Sequence, residues 1–390
     1  MIQDMVVYLV FMGYAISFML GIATLFTWME RKEGAIMADR IGANRAYIRI
    51  PFTNIKLVWM GLFHGIADGA KMLLKENFTP TTYDRFCFNL APWLCLTPVL
   101  VLFCVIPFGG TLIPGELFGA ASTFPYAQQI REFYGAKSYA MQVTRLDAGI
   151  LVIMSISGIG ILGTMLAGWS SNNKFSMLGA ARAASQMISY EVSMGMSLIA
   201  MVLTFGTLDL NQMVIWQSGT LFGILPAWGV FAQPFACLLF LTAAVAENKR
   251  VPFDLPECES ELVAGYFTEY SAMKMGIFML SEFIELVIVA ALLVTIFLGG
   301  YNLPYLTDSG FVLPGGSTVA LPHLTVVLLQ VITFMVKVVL AGGFMIQTRW
   351  SLPRFRYDQL MRFGWKFLLP LSALNLVVSA CVRWFILVKG

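Results

Sequence analysis

Eight runs of about twenty mainly apolar residues, each bounded by polar clusters, decide what this chain can fold into. They fall roughly at 5–28, 88–108, 146–168, 185–205, 228–246, 272–298, 321–346 and 364–388. Runs of that length match the hydrocarbon core of a bilayer when helical, and in lipid a helix satisfies its own backbone polar groups. Charge agrees: Asp, Glu, Lys and Arg make up 12% of the residues, against about 25% in a soluble domain. The expected fold is an all-α polytopic membrane protein, a single membrane domain over residues 1–390 with about eight transmembrane helices. Pro92, Pro98 and Pro107 interrupt the second run, which is expected to be the least regular. The first 28 residues carry no Lys or Arg and no small-residue cleavage site follows, so they read as a span and not as a signal peptide.

Cations set the expected orientation. With the N-terminus outside, the inner segments (about 29–87, 169–184, 247–274 and 347–366) hold 19 of the 25 Lys and Arg. Five lie outside and Lys337 lies within a span. Both termini are therefore expected outside. The outer loops are rich in Gly, Pro and aromatics; the long one at 109–142 is expected to carry a short helix around Tyr126–Gly135. Six scattered cysteines without a CxxC, and two histidines, point to no metal centre.

The inner segments carry the chemistry. Between Asn54 and Lys75, His64, Asp68, Lys71 and Lys75 follow a helical spacing on one face, while Ile55, Trp59, Leu62, Ile66 and Leu73 are apolar. This predicts an amphipathic surface helix on the cytoplasmic side, lying on lipid head groups or walling a cavity. Glu247 to Ser271 holds six carboxylates (Glu247, Asp254, Glu257, Glu259, Glu261 and Glu269) against Lys249 and Arg250. Extended, Glu257, Glu259 and Glu261 point the same way; helical, Glu259 opposes the other two. Either way they are crowded enough to titrate as a coupled set. Apolar residues interleave them and Pro252 and Pro256 stiffen the approach, which suits packing against a partner better than a solvated loop.

Three more acids fall inside spans: Glu191, Glu282 and Glu285, the last two on one helix face. A buried Glu–Lys pair with Lys337 that merely ties helices together is the plain alternative. One lysine cannot serve three acids, and acids within spans mark proton or ion pathways. Arg31 and Arg40 either set topology or face the acidic stretch. The basic, aromatic stretch Arg349–Lys366 suits lipid or partner docking and not nucleic acid.

These residues carry a resemblance. Glu30-Arg31-Lys32, Asp39-Arg40 with Asn44-Arg45, Ala67-Asp68 with Lys71 and Lys75-Glu76, Ile188-Ser-Tyr-Glu191, Glu247 to Ser271, and Pro353-Arg354 through Lys366 appear in order along nearly the whole chain. The chain thus resembles the membrane subunit of respiratory complex I next to the quinone site, the H-type (or subunit 1) family of NADH–quinone oxidoreductase. The resemblance implies a non-redox, proton-translocating role with quinone as substrate. NADH, FMN and iron–sulfur clusters would sit on partner subunits: soluble ones carrying the terminal cluster, together with small and antiporter-like membrane subunits and lipid. By motif, Arg31, Arg40, Asp68, Glu257 and Glu261 would contact the quinone. Glu247, Glu257, Glu259, Glu261, Glu269, Glu191 and Glu282 would handle protons, with Glu285 beside them. A bacterial cytoplasmic (inner) membrane is the expected location, ahead of a mitochondrial inner membrane. The chain departs from the family pattern at Ala38, Ala43 and Phe63-His64-Gly65, on the tunnel side. The corresponding subunit of a hydrogenase or of a ferredoxin- or F420-linked complex, and a stand-alone ion transporter, are the alternatives.

Overall fold

The structure is a computed structural model and describes residues 2–49, 56–117, 132–135, 137–221, 225–255, 262–307, 310–312 and 318–389. Helices dominate, and the strands are two- or three-residue pairings in the loops. In chain order the helices are α1 (Ile2–Met37), α2 (Phe63–Leu74), α3 (Arg85–Leu102), α4 (Gly149–Ser170), α5 (Lys174–Phe205), α6 (Leu210–Trp216), α7 (Gly229–Ala232), α8 (Pro234–Glu247), α9 (Ala272–Phe297), α10 (His323–Ser351), α11 (Tyr357–Phe363) and α12 (Leu369–Lys389). A single π-helical turn, Gly364–Leu368, joins α11 to α12.

Among the described residues seven helices are long and apolar enough to cross a membrane, with Pro234–Glu247 as a shorter apolar one. The chain is an all-α polytopic membrane protein. The span expected at 228–246 is built in two pieces, α7 and α8, that meet at Gln233. Pro234 has no backbone N–H to continue a helical ladder. The Gln233 amide bridges the break to neighbouring helices, donating to Thr204 at 2.6 Å and Ser379 at 2.9 Å.

Helix α9 lies at the centre. It packs against α1, α3 and α10, and touches α2, α6, α7 and α8. From Leu286 to Phe297 every residue is buried, as an apolar helix covered on all sides should be. Lipid tails give no hydrophobic reward for helix contact, so small residues that let backbones approach do much of the packing. A Cβ at Gly163 of α4 would lie 2.6 Å from Cys95 Sγ of α3. One at Gly179 of α5 would lie 2.8 Å from Gly265, so Gly179 seats the 265–267 turn against α5.

Two boundaries differ from the sequence expectation, with physical causes. Helix α5 begins at Lys174, not near 185. Asn173 caps it by accepting from the Phe175 N–H at 3.0 Å, and the small residues of its first turns are buried against that turn. The surface helix begins at Phe63, not Asn54. Trp59, Met60 and Gly61 have positive φ, and a Cβ at Gly61 would lie 2.0 Å from the Ala43 carbonyl oxygen, so the chain turns there. No residue of α2 is fully buried. Most of the helix expected at Tyr126–Gly135 lies outside the described residues.

Candidate functional site

Three spaces follow one another from an open face into the bundle. The first is a cleft of about 520 Å³, within the size range of ligand pockets. The last turns of α1 contribute Glu30 and Arg31, the loop after it Arg40 and Arg45, the first turn of α2 His64, and the end of α10 Trp350. Arg31 pairs with Asp68 one turn along α2. Both side chains are substantially exposed, so this pair orients more than it stabilises.

The second space, about 140 Å³, shares Glu30 with the first. Glu30 is the hub. One carboxylate oxygen accepts from Arg250 and the other from Arg349 at the end of α10. Arg250 also lies 4.5 Å from the Phe283 ring centroid. Asp254 accepts from Arg354 at 3.3 Å. Burial outweighs its arginine neighbours and pushes the Asp254 carboxyl up to about 6; Arg354 and then Arg349 pull the other way. Both polar atoms of the buried Asn248 side chain, which lines this space, lack a partner among the described residues.

The third space, about 50 Å³, shares Lys249 and Glu282 with the second and is bordered by Glu247, Tyr266, Glu285 and Ser157. The Tyr266 hydroxyl donates to Glu282 at 2.7 Å, and the Lys249 ammonium donates to that hydroxyl at 3.2 Å. Ser157 donates to Glu191 at 3.1 Å, which places Glu191 one hydrogen bond from this space. One Glu247 oxygen is buried without a partner among the described residues. Buried polar groups lining a cavity of this size are where ordered water resides.

Of the sequence-predicted residues, Arg31, Arg40 and Asp68 gather at the cleft, and Glu247, Glu282, Glu285 and Glu191 at the inner space. Glu269 stands apart: it accepts from Asn173 at 2.7 Å, beside the cap of α5. Glu257, Glu259 and Glu261 lie outside the described residues, between buried Leu255 and buried Leu262. Lys337 is not the partner of an acid. Its ammonium donates to the carbonyls of Leu298, Gly300 and Asn302 at 2.7, 3.0 and 2.7 Å, capping the end of α9. The cation among the buried acids is Lys249.

Sequence reasoning did not single out Glu30 as a hub, or Tyr266 and Lys249 as a bridge. Glu30 and Lys249 stand in conspicuous charged runs, which was a usable signal; Tyr266 sits in an apolar stretch and gives none. Among the described residues no cluster of three or more His, Cys, Asp or Glu could hold a metal ion.

Fold and site together define a multi-pass membrane protein in which a charged cleft at one face leads, through shared walls, to carboxylates inside a helical bundle. Comparison with known sequences narrows this class. The NADH dehydrogenase family model (NADHdh) matches residues 9–380, and the chain belongs to that family. It is 39% identical over 367 residues to the NADH-quinone oxidoreductase H-type subunit 1 of Cytophaga hutchinsonii, covering 94% of each chain. To the NADH-quinone oxidoreductase H-type subunit of Flavobacterium psychrophilum it is 40% identical over 363 residues, covering 92% of each. To that of Bdellovibrio bacteriovorus it is 36% identical over 373 residues, covering 92% of this chain and 91% of the relative.

Proposed function

We propose that this chain is the membrane subunit of a proton-pumping NADH–quinone oxidoreductase, lining part of the quinone's path and passing the electrostatic effect of quinone reduction to carboxylates inside the bundle. The observation that carries the reading is the sharing of walls. Glu30 borders both the cleft and the middle space; Lys249 and Glu282 border both the middle and the inner space.

In this reading Arg31, Arg40 and Asp68 meet the quinone, with Glu257 and Glu261 from the neighbouring acidic stretch. Negative charge arriving in the cleft competes with Glu30 for Arg250 and Arg349. Arg250 adjoins Lys249 in the chain, Lys249 holds Tyr266, and Tyr266 holds Glu282. A charge change at Glu30 is thus felt at Glu282 through hydrogen-bonded neighbours, in surroundings where charges act more strongly than in water. Glu247, Glu259, Glu269 and Glu191 complete the proton-handling set. The chain carries no redox group of its own. NADH, FMN and the iron–sulfur clusters belong to partners: soluble subunits that deliver electrons at the cleft, and small and antiporter-like membrane subunits that receive the proton signal. The assembly sits in a bacterial cytoplasmic membrane with both termini of this chain outside.

The test uses the assembled complex in proteoliposomes. E261Q and E282Q are each expected to lower the protons moved per electron delivered to quinone. Wild-type pumping in both variants would remove the relay from consideration.

A further inference from the structure

His64 borders the cleft from the first turn of α2, and its Nδ1 lies 3.0 Å from the Gly61 carbonyl oxygen. A carbonyl oxygen only accepts, so Nδ1 holds a hydrogen whether the ring is neutral or charged. The other ring nitrogen, Nε2, is the one whose role is free to change: an acceptor in the neutral ring, a donor in the charged one.

The remaining polar groups around the cleft have no such freedom. Arg31, Arg40 and Arg45 are guanidiniums, which donate and do not give up a proton in proteins. Asn44 and Trp350 do not titrate. Glu30, on α1, is held by Arg250 and by Arg349 of α10; Asp68, on the same helix as His64, is held by Arg31. These are the charged groups that α1, the loop after it, α2 and α10 bring to the cleft.

We infer that His64 is a specificity-determining residue that reads the oxidation state of the ligand in the cleft. The inference rests on the reading of the cleft as part of the quinone's path. A quinone presents carbonyl oxygens, which accept; a hydroquinone presents hydroxyls, which also donate. Charged His64 donates through Nε2 to a quinone carbonyl, and neutral His64 accepts through Nε2 from a hydroquinone hydroxyl. The arginines donate to the oxygens of both forms, so they hold the head group without telling the two apart. Preference therefore moves from quinone to hydroquinone as pH rises through the range, about 5 to 8, where imidazole changes charge.

The experiment uses the assembled complex with a short-tailed, water-soluble quinone. KM for the quinone and the inhibition constant of its hydroquinone are measured from acid to mildly alkaline pH in wild type, H64Q and H64L. Electron transfer from NADH to a soluble artificial acceptor checks that each variant is assembled. In wild type the ratio of the hydroquinone inhibition constant to the quinone KM should fall about three- to tenfold as pH rises, the worth of one hydrogen bond. H64Q, which donates and accepts but does not titrate, should flatten the ratio. H64L should flatten it too and weaken both ligands. A flat wild-type ratio, or an H64L variant with wild-type constants and pH slope, overturns the inference. Asn44→Trp, at an exposed position on the cleft wall, separates the two levels. If N44W raises KM while H64L changes nothing, His64 alone is rejected; if N44W leaves KM as it was, the cleft reading falls and His64 with it.

Discussion

The Tyr266 hydroxyl donates to Glu282 across 2.7 Å and is itself held by Lys249 at 3.2 Å, so one phenol joins the turn before α9, the α9 carboxylate and the end of α8. Tyr266 is buried, and water cannot freely replace the bond.

Y266F should therefore leave Glu282 and Lys249 to find other partners. A hydrogen bond to a charged group is worth about 1.5–3 kcal/mol, enough for a roughly tenfold or larger drop in any step that uses it. The expected result is a lower ratio of protons moved to electrons delivered, measured in proteoliposomes. A wild-type ratio would show that the bridge only holds the helices.

Glu30 should be the least replaceable acid at the open face. It is 15% exposed and serves two arginines, Arg250 at 8% and Arg349 at 32%. Removing one partner of a buried pair costs about 3–5 kcal/mol, because the other charge is left unmatched. E30A should lower the thermal midpoint of the detergent-solubilised complex. The double variant E30A/R250A should be less damaged than the two single changes added together. Strict additivity would show that the pair is not coupled.

Asp254 gives a pH signature. Burial raises its carboxyl to about 6, so the folded chain holds a proton there that an unfolded carboxylate has released from about pH 4 upward. The folded state binds more protons in that window, and its stability falls as pH rises from about 4 to about 6, then levels off. D254N should lack this fall. Thermal midpoints of both proteins across that window check the sign, and parallel curves would refute it.

Lys337 should matter for stability before it matters for turnover. K337M strips a charged donor from three carbonyls at the end of α9. A loss of about 2–4 kcal/mol is expected, with a thermal midpoint several degrees lower. Quinone reduction well below that midpoint should stay near wild type. Normal stability with failed reduction would assign Lys337 a part in coupling instead.

Much of the bundle was legible because hydropathy and helix length answer to the same bilayer. The positions of α4 and α9 follow directly from it. The first turns of α5 did not, since a run such as Leu178-Gly-Ala-Ala-Arg is too mixed to score as a span. It is helical because its small residues pack against the 265–267 turn. At the site, the acids in spans were legible because a carboxylate in an apolar run stands out. Their partners were not. Tyr266 and Glu282 are sixteen residues apart across a turn, and no periodicity links them. Lys337 misled for the opposite reason: a lysine in a span suggests an acid nearby, and backbone carbonyls satisfy it equally well.

The length of α1 has a consequence for whatever visits the cleft. Its 36 residues make a rod of about 54 Å, against a hydrocarbon layer of about 30 Å. Even leaning by roughly 40° it reaches about 41 Å along the membrane normal. Glu30 and Arg31 stand in its last two turns, beyond the oil. A visitor that dissolves in the bilayer must lift its ring out of that oil to meet them, while a long tail stays behind in solution with the lipid. Grip at the rod's tip then falls to the polar end of the molecule, and extra tail carbons add little to it.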